Sequence, residues 1–191
     1  CIEFILDETG SMSSCKSSTV GGFNDFLTEQ KSVRGECLLT LTKFEGGSLV
    51  TPYQDLDINF VPFMTDRTFV PGGMTNLFDA IGERIQVLNN RVSSWTCKPK
   101  KLIVVMTDGG DNFSTKHSAH SIKQMIESLG NEDWTFVYLG ANQNALSVGS
   151  EMGFKEGNIR SFETAKMRET MNSLSAATTA YRASNEVKNF F

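Results

Sequence analysis

Two apolar runs, each stopped by an aspartate, constrain this chain more than any other feature. Leu102-Ile103-Val104-Val105-Met106 contains no polar residue and leads into Thr107-Asp108-Gly109-Gly110-Asp111. A short, branched, continuous run of this kind has the character of a parallel strand covered on both faces. Residues 2–6, apolar except for Glu3, are a second short run, and they end in Asp7-Glu8-Thr9-Gly10-Ser11. Parallel strands need long crossover connections, usually helical, so the segments between such runs should alternate with them as helices.

The remaining segments follow that rule. Apolar residues at 23, 26 and 27 have helical spacing and predict a helix over 20–31. Residues 37–44 and 48–53 read as strands joined by the turn Glu45-Gly46-Gly47, and such a hairpin is antiparallel. Pro71-Gly72-Gly73 is a loop. Thr75 then opens an amphipathic helix with apolar positions 77, 78, 81, 85 and 88, and Thr75 with Asp79 resembles an N-terminal cap. Further helices are expected at 114–129, with Ile122, Met125, Ile126 and Leu129 on one stripe, at 142–152 with Asn142 as cap, and at 163–187. Strands are expected at 134–139 and, as a short edge, at 159–162. The order β-α-β-β-α-β-α-β-α-β-α implies an α/β fold of three layers, a Rossmann-like, doubly wound, mostly parallel sheet with one antiparallel edge strand. With no internal repeat or linker, residues 1–191 read as one domain.

Composition narrows the function classes. The formal net charge is −4 and the basic residues are dispersed, which argues against nucleic acid as a partner. The one basic cluster, Lys98-Pro99-Lys100-Lys101, reads as a solvated loop entering a strand. No apolar run reaches the roughly 18 residues of a membrane span, and no leader is visible, so no membrane role is expected. The chain begins at Cys1 inside a strand-like run, so the natural N-terminus is expected to be missing. The four cysteines (Cys1, Cys15, Cys37, Cys97) form no CxxC pair and read as free thiols in a reducing, cytoplasmic compartment. His117 and His120 stand at i and i+3 on an expected helix without a third ligand, so a surface face is the better reading than a zinc site. Phe23, Phe26, Phe44, Phe60, Phe63 and Phe69 read as packing residues.

Three segments should meet beyond the carboxyl ends of the strands, where ligands sit in open α/β sheets. They are Asp7-Glu8-Thr9-Gly10-Ser11, Gly72-Gly73-Met74-Thr75 and Thr107-Asp108-Gly109-Gly110-Asp111. A carboxylate with two hydroxyls on one turn gives half the oxygen shell of a hard cation such as Mg²⁺, which wants octahedral geometry at about 2.0–2.1 Å. Glu8 and Asp111 read as solvated turn residues at the rim. Taken together and in this order, the three segments resemble the metal-ion-dependent adhesion site of von Willebrand factor type A domains, and the order of strands and helices fits that family along essentially the whole chain. The resemblance implies metal ligation by Asp7, Thr9, Ser11, Thr75 and Asp108, directly or through water. Thr9 stands where the family's D-x-S-x-S motif has its first serine, and its added methyl narrows the pocket.

The resemblance further implies Mg²⁺, with Mn²⁺ or Ca²⁺ as alternatives, and ion-bridged recognition of an acidic residue on a protein partner, without catalysis. The segment Tyr138-Leu139-Gly140-Ala141-Asn142-Gln143-Asn144-Ala145 resembles the late segment of small stand-alone members of bacteria and phages. Two other readings are carried. One is a Mg²⁺-dependent phosphohydrolase of the haloacid-dehalogenase type, against which Thr9 occupies the place of the required second aspartate. The other is a structural scaffold in an ATPase-associated or stress-resistance complex. No phosphate-binding loop or G-x-G-x-x-G turn supports nucleotide binding.

Overall fold

A computed structural model describes residues 1–129, 133–141, 144–183 and 189–191. Its strands are β1 (Ile2–Asp7), β2 (Leu38–Glu45), β3 (Ser48–Asp57), β4 (Lys101–Thr107), β5 (Trp134–Ala141) and β6 (Ile159–Phe162). Its helices are α1 (Lys16–Ser32), α2 (Leu77–Ser93), α3 (Ala119–Leu129), α4 (Ala145–Glu151) and α5 (Met167–Ala183). The six strands form one sheet in the order β3-β2-β1-β4-β5-β6. Among the described residues only β3 runs antiparallel, paired with β2 through the Gly46-Gly47 turn, and every other pairing is parallel. The expected three-layer, doubly wound arrangement is the one observed.

Period-two alternation along the central strands divides the core. Phe4, Leu6, Leu102, Val104 and Met106 face α1 and α5, where they meet Phe23, Phe26, Leu27, Met171 and Leu174. Ile5, Ile103, Val105 and Tyr138 face the other layer and meet Ile81, Ile85, Leu88 and Ile122. Because both faces of β1 and β4 are covered, these strands carry apolar residues at successive positions, as the continuous runs implied. Among the described residues no helix is long and apolar enough to cross a membrane.

Several boundaries differ from the sequence reading, each for a local reason. β3 runs on to Asp57 past Pro52 and past Asp55, which has φ 50°, so its irregular pairing hides the strand's true length. α3 starts at Ala119, not near residue 114, because the amides of Thr115, Lys116 and His117 donate to the Asp79 carboxylate instead of entering a helix. α5 starts at Met167 after a short 3-10 turn over Thr164–Lys166. The expected cap Asn142 and the far end of the expected last helix lie outside the described residues; α4 is capped by Asn144, whose side chain accepts from the Ser147 amide.

Some single-residue readings also change. Phe60 and Phe63 are 76% and 52% exposed, with Lys31 Nζ 4.8 Å from the Phe63 ring centroid, so these two are not core packing residues. Lys101 is buried in β4 beside the Trp134 ring, and Lys100 Nζ donates to the Tyr181 carbonyl at 2.8 Å, so only part of that basic cluster is solvated. The cysteines are free thiols, with Cys15 and Cys37 buried, Cys1 half-buried and Cys97 exposed.

Candidate metal centre

Strand register builds the centre. Leu6 pairs with Met106, which brings Asp7 level with Thr107 where both strands end. Thr107 Oγ1 donates to Asp7 Oδ2 at 2.6 Å and accepts from the Gly109 amide at 3.1 Å. The other carboxylate oxygen, Asp7 Oδ1, accepts the Thr9 amide at 2.8 Å. Both oxygens of a fully buried carboxylate are thereby oriented.

From Asp7 the turn carries Thr9 and Ser11 side by side, with their hydroxyl oxygens 3.2 Å apart. Ser11 Oγ donates to Asp108 Oδ1 at 2.5 Å. Thr75 Oγ1 donates to Thr9 Oγ1 at 3.4 Å. All five residues singled out in the sequence thus meet in one cluster drawn from the ends of β1 and β4 and the entry to α2. Asp7, Thr9 and Thr75 are buried, Asp108 is half-buried and Ser11 is exposed, so the cluster opens to solvent on the Ser11–Asp108 side.

The loops around it are stapled to one another through the backbone. Gly72 N donates to Glu8 O at 2.9 Å, Gly10 N to Gly73 O at 3.3 Å and Gly46 N to Met74 O at 2.7 Å. Gly73 has φ 69°, and a Cβ there would lie 2.2 Å from Glu45 Oε2 and 3.0 Å from Gly46 N, so glycine is required both for conformation and for space. Thr75 is clamped in its own peptide units. Its amide donates to Asn112 Oδ1 at 2.8 Å, and its carbonyl accepts the amides of Asn112 and Phe113.

Three roles differ from the sequence reading. Asp79 does not cap α2; its carboxylate accepts the three amides of Thr115, Lys116 and His117 and so pins the β4–α3 loop to the first turn of α2. Glu8 and Asp111 are not solvated turn residues. Glu8 is buried, pairs with Lys43 at 2.7 Å and accepts the Val70 amide at 2.6 Å. Asp111 accepts the Ser114 hydroxyl and the Phe78 amide. The histidines do not share a helix face: His117 precedes α3 with its ring against Gly82, while His120 is exposed on α3. Thr107 and Asn112 were missed by the sequence reading. The in-register ends of the two apolar runs could have pointed to Thr107, whereas nothing in the sequence marks Asn112.

Burial pushes the Asp7 carboxyl up, and the hydrogen bonds from Thr107 and Thr9 offset this only in part, with the nearby Asp108 charge adding to the rise. Burial also pushes Asp108 up, against the hydrogen bond from Ser11. Among the described residues neither carboxylate has an ion-pair partner. Two carboxylates and three hydroxyls, with no sulfur or imidazole, form an oxygen donor set suited to a hard divalent cation. Among the described residues no group of three or more His, Cys, Asp or Glu side chains gathers as an alternative metal site.

No protein-family model and no curated protein matches the sequence. Solved structures do. A von Willebrand factor type A structure from Catenulispora acidiphila is 12% identical with a TM-score of 0.62, over 93% of this chain and 42% of that one. Proximal thread matrix protein 1 from the mussel byssus, in a form with a zinc-occupied MIDAS motif, is 15% identical with a TM-score of 0.62, over 90% and 46%. The manganese-loaded TRAP protein of Plasmodium vivax is 16% identical with a TM-score of 0.60, over 88% and 70%. The chain spans less than half the length of the first two. Likeness at these identities is a likeness of fold.

Proposed function

We propose that this chain, whose fold is that of a von Willebrand factor type A domain, is a divalent-metal-binding module for protein recognition and not an enzyme. Asp7, Thr9, Ser11, Thr75 and Asp108 would hold the ion, directly or through water. The observation that carries this reading is the convergence of two carboxylates without a cationic partner on three hydroxyls at one solvent-facing edge. When bound, a divalent ion supplies an electrophilic position that a partner's carboxylate can fill. The residues of the chain do the rest. Thr107 and the Thr9 amide fix Asp7, Asn112 fixes the Thr75 backbone, and Ser11 and Asp108 keep the site open to solvent. The all-oxygen donor set favours Mg²⁺, with Mn²⁺ or Ca²⁺ next, over softer ions. The zinc-occupied MIDAS motif of the mussel protein and the manganese-loaded state of the TRAP protein support a divalent ion.

Thermal unfolding in Mg²⁺ and in EDTA tests the site. A Mg²⁺ concentration about a hundred times the Kd should stabilise the wild-type chain by about 2.7 kcal/mol. Asp108→Ala should lose that stabilisation. An equal rise in Tm for the variant would sink the assignment. A partner released by EDTA and not held by Asp108→Ala would carry the recognition half of the proposal.

A further inference from the structure

We infer that the rim of the metal centre selects a carboxylate flanked by a bulky apolar residue and by a cationic, not an acidic, neighbour; this rests on the metal-centre reading. Large apolar side chains stand exposed on the loops that surround the site: Val70 is 61%, Met74 48% and Phe113 42% exposed. Water-facing apolar groups scattered singly need no explanation, but three grouped around one polar centre mark a contact surface.

Their backbones are fixed. The Val70 amide donates to Glu8 Oε1 at 2.6 Å, the Met74 carbonyl accepts the Gly46 amide at 2.7 Å and the Phe113 amide donates to the Thr75 carbonyl at 3.0 Å. Phe113 and Met74 are therefore tied through their backbones to the residues that form or adjoin the centre, and binding would not have to order those backbones. Preorganised apolar anchors beside a polar contact are the arrangement that concentrates binding energy.

Charge decides the third element. Glu45 ends β2 with its carboxylate against Gly73, whose carbonyl accepts the Gly10 amide of the metal-site turn. Among the described residues Glu45 has no ion-pair partner, whereas its neighbour Glu8 is neutralised by Lys43. Asp111 lies on the Phe113 side and is met by amides and a hydroxyl, not by a cation. A divalent ion would balance Asp7 and Asp108, leaving Glu45 and Asp111 as net negative rim. A second acidic residue beside the ligating carboxylate would meet repulsion there, and a lysine or arginine would meet attraction.

The test is a library of cyclic peptides with one fixed central Asp and randomised flanks, captured by the full chain in Mg²⁺ and in EDTA. Capture in Mg²⁺ should enrich Leu, Ile, Met or Phe beside the Asp about tenfold over Ser and Gly, and Lys or Arg over Asp or Glu by a similar factor. Met74→Ser with Phe113→Ser should bring the apolar enrichment to about one while the Mg²⁺-induced rise in Tm persists, and Glu45→Gln should erase the cation preference. Mg²⁺-dependent capture with no apolar preference, or with one that survives the double variant, overturns the inference and leaves the metal reading standing. An apolar preference that the double variant removes but EDTA does not would sink the metal reading and the inference with it. A chain that is stabilised by Mg²⁺ yet captures no peptide overturns the inference.

Discussion

At the scale of single residues, the candidate centre depends on how a fully buried carboxylate is met. Asp7 was legible because an apolar run stops at it; its partner Thr107 was not, since a threonine at the end of a strand has many ordinary uses. The structure gives that hydroxyl a specific one, a 2.6 Å hydrogen bond to Asp7 Oδ2. Thr107→Val keeps the shape and removes the donor, leaving a buried carboxylate oxygen unmet. The expected loss is about 1–3 kcal/mol in urea unfolding, together with weaker Mg²⁺ stabilisation, and Thr107→Ser should restore most of both. Equal stability of the Val variant would mean that Asp7 is satisfied in another way. The same limit explains Glu8, Asp111 and Asp79: the sequence shows a carboxylate at a turn, but not which amides or cations fold back onto it.

At the scale of elements, order and type were readable from periodicity, and ends were not, because ends are set by contacts from distant segments. The start of α3 is the clearest case, since three amides are claimed by Asp79 of α2. Burial pushes the Asp79 carboxyl up, yet those three amides and the nearby His117 outweigh it and hold the carboxyl below its ordinary 3.8. Lys116, on the same loop, is engaged by Glu83. A depressed folded-state value means that the stabilisation is present above the unfolded value and is lost as pH falls through the folded one. Asp79→Asn should therefore be less stable than wild type at neutral pH by about 1–3 kcal/mol, with the gap closing below about pH 4. A gap that is constant down to acid unfolding would remove the charge from the account. The α1–α5 contact offers a second element-scale test. A Cβ on Gly22 would lie 2.8 Å from Met171 Cγ and 3.2 Å from Met171 Cβ, atoms close to the α5 backbone. Alanine gains about 1 kcal/mol in helix propensity over glycine, while overpacking costs about 1–3 kcal/mol. Gly22→Ala should thus be neutral to destabilising, and a marked rise in Tm would show that α5 moves aside freely.

At the scale of the whole molecule, the apolar layers were legible and the polar tie between them was not. Glu3, on β1, reads by pattern as one polar residue in an apolar strand. In the structure it is buried, with Oε1 accepting from Arg84 Nε at 2.7 Å and Oε2 lying 3.6 Å from Arg91 of the same helix. Arg91 in turn reaches Asp55 on β3 at 2.8 Å. One network thereby joins the central strand, the antiparallel edge and α2, the helix that follows Thr75. Buried pairs of this kind contribute little against an apolar replacement, because desolvation offsets attraction, but breaking one leaves a buried charge unmet. Glu3→Gln removes the carboxylate that faces Arg84 and leaves Arg91 with Asp55, and should lose about 3–5 kcal/mol in urea unfolding. Replacing the pair together, Glu3→Gln with Arg84→Met, should lose less than the sum of the single variants by about 1 kcal/mol or more. Strict additivity would mean that Glu3 and Arg84 are each satisfied independently.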